Sequence, residues 1–239
     1  MKQQHILTYY ISSIFSLLLC CTSISAQEDT TVTDSTKTKQ KYGIRIGVDA
    51  SKLLRSFIDD DYQGFELNGD YRLTKNLYLA AEIGNEEKTT TNDFLNVTAK
   101  GSYLKAGVDY NLYDNWLGME NMIYSGFRVG TSTFSQTLNN FSVYAQDQFW
   151  QPQFSSNEII ETKGLSSVWI ELQMGIKAEV LNNLFLGLNF QLKGNISQDQ
   201  PVNYENLYIP GFNKTFDSGR IGVGYGYTIS YLIPIFKKG

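Results

Sequence analysis

The chain has 239 residues, with 24 acids against 20 bases, a formal charge of −4, 14% aromatic side chains and only 4 prolines. That balance offers no basic excess to hold nucleic acid. Both cysteines, Cys20 and Cys21, and the only histidine, His5, fall within the first 21 residues, so everything downstream lacks thiol and imidazole chemistry.

Lys2 is followed by an apolar run from Ile11 to Cys21, then by small residues in "TSISA", and acids begin only at Glu28. This predicts a secretory signal peptide over residues 1–26, cleaved after Ala26; the run is too short for a membrane-spanning helix. A competing reading takes "LLLC" as a lipoprotein signal with Cys20 or Cys21 acylated, although Leu19 or Cys20 stands where a small residue is expected. Cleavage would leave 19 bases against 24 acids, a net charge of −5. Residues 27–41, "QEDTTVTDSTKTKQK", carry one apolar side chain, Val32, and read as a flexible leader. A single domain over 42–236 follows.

From Tyr42 onward the pattern has period two, which marks strands with two unlike faces. "YGIRIGVDAS" sets Ile44, Ile46 and Val48 against Arg45, Gly47 and Asp49. "QGFELNGDYRL" and "LYLAAEIGNE" follow, with a short turn at "LTKNL". "GSYLKAGVDYNL" and "MIYSGFRVGT" are joined around "LYDNW", where "WLGMEN" fits poorly and a bulge near Asn121 and Met122 is expected. "VWIELQMGIKAEV" and "LFLGLNFQLK" are joined around "VLNNL", and "IGVGYGYTISYLI" supplies the last strand. No segment shows a helical period. Eight strands of roughly 10 residues suit a tilted crossing of a bilayer. The remaining connections, 55–61, 87–99, 132–164 and 195–218, are longer, and alternating short and long connections characterise transmembrane barrels. The predicted fold is an all-β, eight-stranded antiparallel up-and-down transmembrane β-barrel.

Glycine decides which face lies inside. Gly43, Gly47, Gly64, Gly84, Gly107, Gly126, Gly130, Gly175, Gly187, Gly222, Gly224 and Gly226 all fall on the polar face, with Gly69 the exception. A polar face in open water has no steric reason to exclude side chains, whereas the lumen of an eight-stranded barrel is just wide enough for them to fill. The glycines should therefore make room for long charged groups reaching across. A soluble lipocalin-like barrel, apolar inside, is the alternative. Tyr42, Tyr71, Tyr110, Tyr231 and Phe236, near the short turns, are placed for an interfacial aromatic girdle.

The polar face carries Asp49, Glu66, Asp70, Glu82, Glu86, Asp109, Glu171 and Glu179 with Arg45, Arg72, Lys105, Arg128, Lys177, Lys193 and Arg220. Charges taken out of bulk water need partners. Mixed signs predict a structurally cross-linked, filled lumen, where a selective pore tends to show rings of one sign.

With strands placed, the chain resembles the small outer-membrane barrels of the OmpA and OmpX type. In "YGIRIGVDASKLLRSF", "GDYRLTKNLYLAAEIGNEEKTT" and "NWLGMENMIYSGFRVGTSTFSQTL" it is similar to an uncharacterised outer-membrane barrel family of the Bacteroidota, domain of unknown function 6048. The resemblance implies a cell outer membrane location and brings no functional residues. At the C-terminus Phe236, the expected terminal aromatic, is followed by three more residues.

An enzyme is disfavoured, because downstream of the signal no histidine or cysteine remains to serve as base or nucleophile. Asp59, Asp60 and Asp61 could bind Ca²⁺ but read more simply as a solvated turn. An acid pair among Glu82, Glu86 and Glu171 is explained by salt pairing more simply than by glycoside hydrolysis. There is no Walker loop or zinc-ligand cluster, and no cofactor is expected. A narrow porin-like channel is the second reading. The favoured reading is a structural or surface-binding barrel, with Tyr144, Phe149, Trp150, Tyr204, Tyr208 and Phe212 on external loops gripping a carbohydrate, peptide or protein. Equally, these loops could fold over the barrel as a cap. The expected partners are membrane lipid, the outer-membrane assembly machinery and a surface ligand, without nucleic acid.

Overall fold

The computed structural model describes residues 40–115, 119–143, 154–202, 204–215 and 220–238. In chain order the elements are β1 (Gln40–Asp49), α1 (Ala50–Ile58), β2 (Tyr62–Arg72), β3 (Leu77–Thr91), β4 (Leu95–Asn111), β5 (Met122–Val143), β6 (Phe154–Ser156), β7 (Ile160–Leu181), β8 (Leu184–Gln198), β9 (Tyr208–Ile209), β10 (Asn213–Lys214) and β11 (Ile221–Lys238). The signal peptide, both cysteines and most of the leader lie outside the described residues. The final two leader residues do not: Gln40 and Lys41 already pair with Lys238 and Lys237 of β11.

Eight strands close a ring in the order β4-β3-β2-β1-β11-β8-β7-β5, with β5 back on β4 and every pairing antiparallel. The short turns fall where alternation stops, at residues 73–76 and 182–183, with Asn183 taking the positive φ of 65° that a two-residue hairpin turn requires. Following directly opposed residues once round the ring leads from Val168 through Thr131, Leu104, Ile83, Leu67, Val48, Ile229 and Leu186 to Ala178. The circuit returns to β7 10 residues further on, a shear that inclines eight strands by roughly 40° to the barrel axis.

The faces are as the alternation predicts. Ile46, Leu67, Leu79, Leu104, Val129, Leu172, Leu186 and Ile229, one from each barrel strand, point outward and are exposed. Arg45, Glu66, Lys105, Arg128, Glu171 and Lys193 point inward and are buried. An apolar belt on every strand is solvated by hydrocarbon, not water, which rules out the lipocalin-like arrangement with its greasy centre.

Five expectations are corrected. The connection expected at 55–61 is half helix: α1 runs from Ala50 through Ile58, its N-terminus capped by Asp49 accepting from the Ser51 amide at 2.8 Å. The expected loop 87–99 is mostly strand, since β3 and β4 pair as far as Thr91 and Asn96. The expected loop 132–164 is largely the paired ends of β5 and β7, each 22 residues long. Tyr42 leaves the expected girdle: a bulge between Tyr42 and Gly43 turns the ring inward, where it stacks on Phe236 at 5.2 Å. Tyr110 and Tyr231 stay exposed on the outside, whereas Phe236 shares the face of Tyr42 at the barrel end. The bulge anticipated near Asn121 is absent, because β5 begins at Met122.

Candidate functional site

The interior is a chain of ion pairs running the length of the barrel. Near the short-turn end, Arg72 donates to Glu120 at 2.7 Å and lies over the Tyr42 and Tyr78 rings. Lys41 there meets Glu179 at 3.2 Å. One layer in, Asp70 lies between Arg45 (3.5 Å) and Lys177 (2.7 Å), and the Arg45 guanidinium covers Phe185 at 4.3 Å. At mid-barrel, Arg128 bridges Asp109 (2.7 Å) and Glu82 (3.3 Å). Lys105, 1% exposed, pairs with Glu82 and has Glu66 at 3.4 Å and Glu171 at 3.9 Å. Above it Lys193 meets Glu171 at 3.8 Å, and Lys52 from α1 pairs with Glu86.

Most of the charges anticipated from sequence are thus brought together, with two exceptions. Asp49 caps α1 instead of pairing with a cation. Arg220 is exposed at the rim, and its backbone carbonyl accepts from the Asn195 amide at 2.7 Å. Lys52, Glu120 and Lys41 were missed because they sit in the helix, in a stretch that fits no alternation, and in the leader. Glu82, Glu86 and Glu171 are each occupied by cations, so no acid pair is held ready for a sugar. Asp59 is turned to Lys88 (3.0 Å) and Arg55 (3.3 Å), and the Lys88 hydrogen bond holds its carboxyl below the usual aspartate range. Asp60 and Asp61 remain exposed in the turn. No group of three or more metal-ligating side chains occurs among the described residues.

Some glycines make room for charges, as Gly126 does for Asp109 and Arg128, and others for rings. Gly84, Gly130 and Gly175 stand directly across from Tyr103, Trp169 and Tyr124, and a Cβ on Gly130 would lie 2.3 Å from the Trp169 indole. The C-terminal triplet meets the expected charges in part: Lys193 lies over Gly224 and Asp49 over Gly226, beside neutral neighbours. Gly222 receives the Phe212 ring, Gly224 lies against Gln191 and Asn213, and Gly226 against Asn189 and Asp49.

Phe212 belongs to a plug. The β9–β10 turn dips into the long-loop mouth, with Gly211 at φ +81° where its backbone meets the Tyr103 ring. Tyr208 hydroxyl and Gly211 N–H both donate to Glu86 at 2.8 Å, and Lys193 donates to the Gly211 carbonyl at 2.7 Å. Ile209 and Phe212 complete a cluster with Tyr103, Phe134, Leu165 and Trp169. This corrects the reading of Tyr208 and Phe212 as external binding residues: both are buried, because Glu86 and the ring cluster hold them inside. Tyr204 is half-buried, and Tyr144, Phe149 and Trp150 lie outside the described residues. Below the plug, a cavity of about 20 Å³ between Asp70, Glu82, Arg128 and Gln173 has room for about one water.

A closed ring of eight strands, apolar outside and ion-paired within, defines a small membrane-spanning β-barrel. The chain belongs to the family described as "Domain of unknown function (DUF6048)", whose model matches residues 6–238. No curated protein matches it. Among solved structures it is similar to the crystal structure of Ail, the attachment invasion locus protein of Yersinia pestis. The identity is 9% and the TM-score 0.41, over 81% of this chain and 98% of that one.

Proposed function

We propose that the protein is an integral outer-membrane barrel that conducts no solute, performs no catalysis and serves as a structural, surface-binding scaffold. The observation that carries this reading is a mismatch of lengths. A tilted strand crosses a bilayer in about 9–11 residues, yet β5 and β7 each run 22. Their excess, backed by β4 and edged by β6, forms a sheet beyond the apolar belt that presents Thr131, Thr133 and Ser166 outward. Polar sheet with a short edge strand suits a carbohydrate, peptide or protein partner. The ion-paired lumen and the plug support a structural rather than conducting interior.

Two measurements test this. Purified protein in a planar bilayer should show no channel events; steady unit currents would restore the porin-like reading. A cut across 136–160 would reach the barrel cap, since Gln136 donates to Asn206 at 2.8 Å and Leu138 is buried. Removing 140–159 instead should leave the heat-modifiable gel shift intact and abolish binding of whole cells to candidate glycan or protein surfaces. Unchanged binding would move the function away from the β6 edge of this sheet.

A further inference from the structure

One stretch of the barrel wall is helix. β1 stops at Asp49, opposite Thr228, and its pairing with β2 stops at Val48 and Leu67. Beyond that level β11 from Ile221 to Tyr227 keeps its pairing with β8, and β2 from Tyr62 to Glu66 its pairing with β3. α1 stands in the gap between β2 and β11 and packs on both. A helix satisfies its own backbone groups, so it can close a gap facing hydrocarbon, where open sheet edges are not tolerated. It also serves the β2 edge, since Ser56 hydroxyl accepts from the Gly64 amide at 2.8 Å.

The two faces of α1 are inverted. A helix on a water-soluble protein turns its apolar stripe to the core and its charges to solvent. Here Lys52 pairs inward with the buried Glu86, and Arg55 lies over the buried Tyr62 ring at 4.0 Å. Leu54, Phe57 and Ile58, spaced i, i+3 and i+4, form the opposite face, with Phe57 85% and Ile58 83% exposed. Charge within and grease without is the order of the barrel strands too, and lipid is the solvent that favours it.

The helix also lies within the apolar belt. Phe65 of β2 and Val223 and Tyr225 of β11, exposed on the outward face, flank it. Its 9 residues rise about 13 Å along the axis, close to half of a hydrocarbon core roughly 30 Å thick. Beyond Phe65 the outward row turns polar at Gln63, Glu87 and Lys100, with Lys100 paired to Glu87 at 2.8 Å. An open groove of about 440 Å³ runs between Leu53 and Phe57 on one side and Phe65 on the other, with that ion pair in its lining.

We propose that Leu54, Phe57 and Ile58 are immersed in the acyl chains of the leaflet on the long-loop side. α1 is then a lipid-facing part of the wall, lipid tails fill its groove with β2, and water begins at the turn holding Asp60 and Asp61. This deepens the membrane-barrel reading and rests on it.

Nitroxide labels on single cysteines test the proposal, in the full chain carrying Cys20→Ser and Cys21→Ser and refolded into phosphatidylcholine vesicles. Oxygen concentrates in hydrocarbon and a charged nickel chelate stays in water, so their collision rates with a label report its surroundings. Labels at Leu54→Cys, Phe57→Cys and Ile58→Cys should meet oxygen in preference to nickel, as should one at Val129→Cys on the outward face of β5. A label at Asp60→Cys, in the exposed turn, should show the reverse. Nickel-dominated collisions at Phe57 and Ile58 would overturn the proposal, since water would then cover the face. Shielding from both reagents, with spin–spin broadening that unlabelled chain relieves, would overturn it in favour of a second copy. Val129 and the heat-modifiable gel shift isolate the failure. If both behave as a membrane barrel requires while Phe57 is wet, the placement of α1 alone falls; a wet Val129 without a gel shift overturns barrel and helix together.

Discussion

Lys105→Met should destabilise the folded barrel by about 3–5 kcal/mol, the usual cost of stripping one partner from a buried ionic cluster. Among the described residues Lys105 is the only cation in contact with all three of Glu66, Glu82 and Glu171, each buried. Without it Glu82 keeps Arg128 and Glu171 keeps Lys193, but Glu66 retains only Lys52 at 3.8 Å and the Tyr103 hydroxyl at 2.5 Å. Methionine restores the bulk and not the charge, so the loss reads out electrostatics more than packing. The measurement is the urea midpoint for unfolding from lipid vesicles, followed by the gel shift. Glu82→Gln should cost less, roughly 1–2 kcal/mol, because both of its cations keep a second carboxylate. Equal midpoints for Lys105→Met and the parent would mean that water, not protein, neutralises the lumen.

Gly130→Leu should cost about 3 kcal/mol or more, through overpacking. Gly130 and Trp169 are directly opposed on β5 and β7, and the indole lies flat across the glycine with no exposed surface. A leucine there has to displace the indole, which meets Phe212 edge-on at 6.0 Å and anchors the plug cluster. Trp169→Ala alone should lose a similar amount by leaving a cavity, about 3–5 kcal/mol. The pair carries its own internal check. In the double variant the leucine occupies space the indole vacated, so the combined loss should fall well short of the sum of the two. Strictly additive losses would show that the two positions do not share space.

The two results would probe different parts of what the chain encodes. The Gly130–Trp169 contact is half visible in one dimension: both residues fall on the polar face of their strands, and glycine there announces that something bulky lies across it. Which ring arrives depends on register, and register is decided by all eight strands closing with a shear of 10. Lys105 is likewise legible as an inward charge. Its three carboxylates come from β2, β3 and β7, and sequence separation carries no information about which acid will face it.

Period-two alternation is a local property, written in adjacent side chains, so the sequence alone determined the strand count, the inward face, the short turns and the greasy exterior. Three features needed the tertiary structure. α1 spans only 9 residues and follows an alternating strand without a break, so its period is too brief to separate from its surroundings. The plug at 208–214 looks like any aromatic loop until Glu86, 122 residues away from Tyr208, gives it a buried acceptor. The gap that α1 fills exists because β1 ends several residues before its neighbours do. A strand's end is set by whether a partner is there to receive its hydrogen bonds, and only the closed ring supplies or withholds that partner.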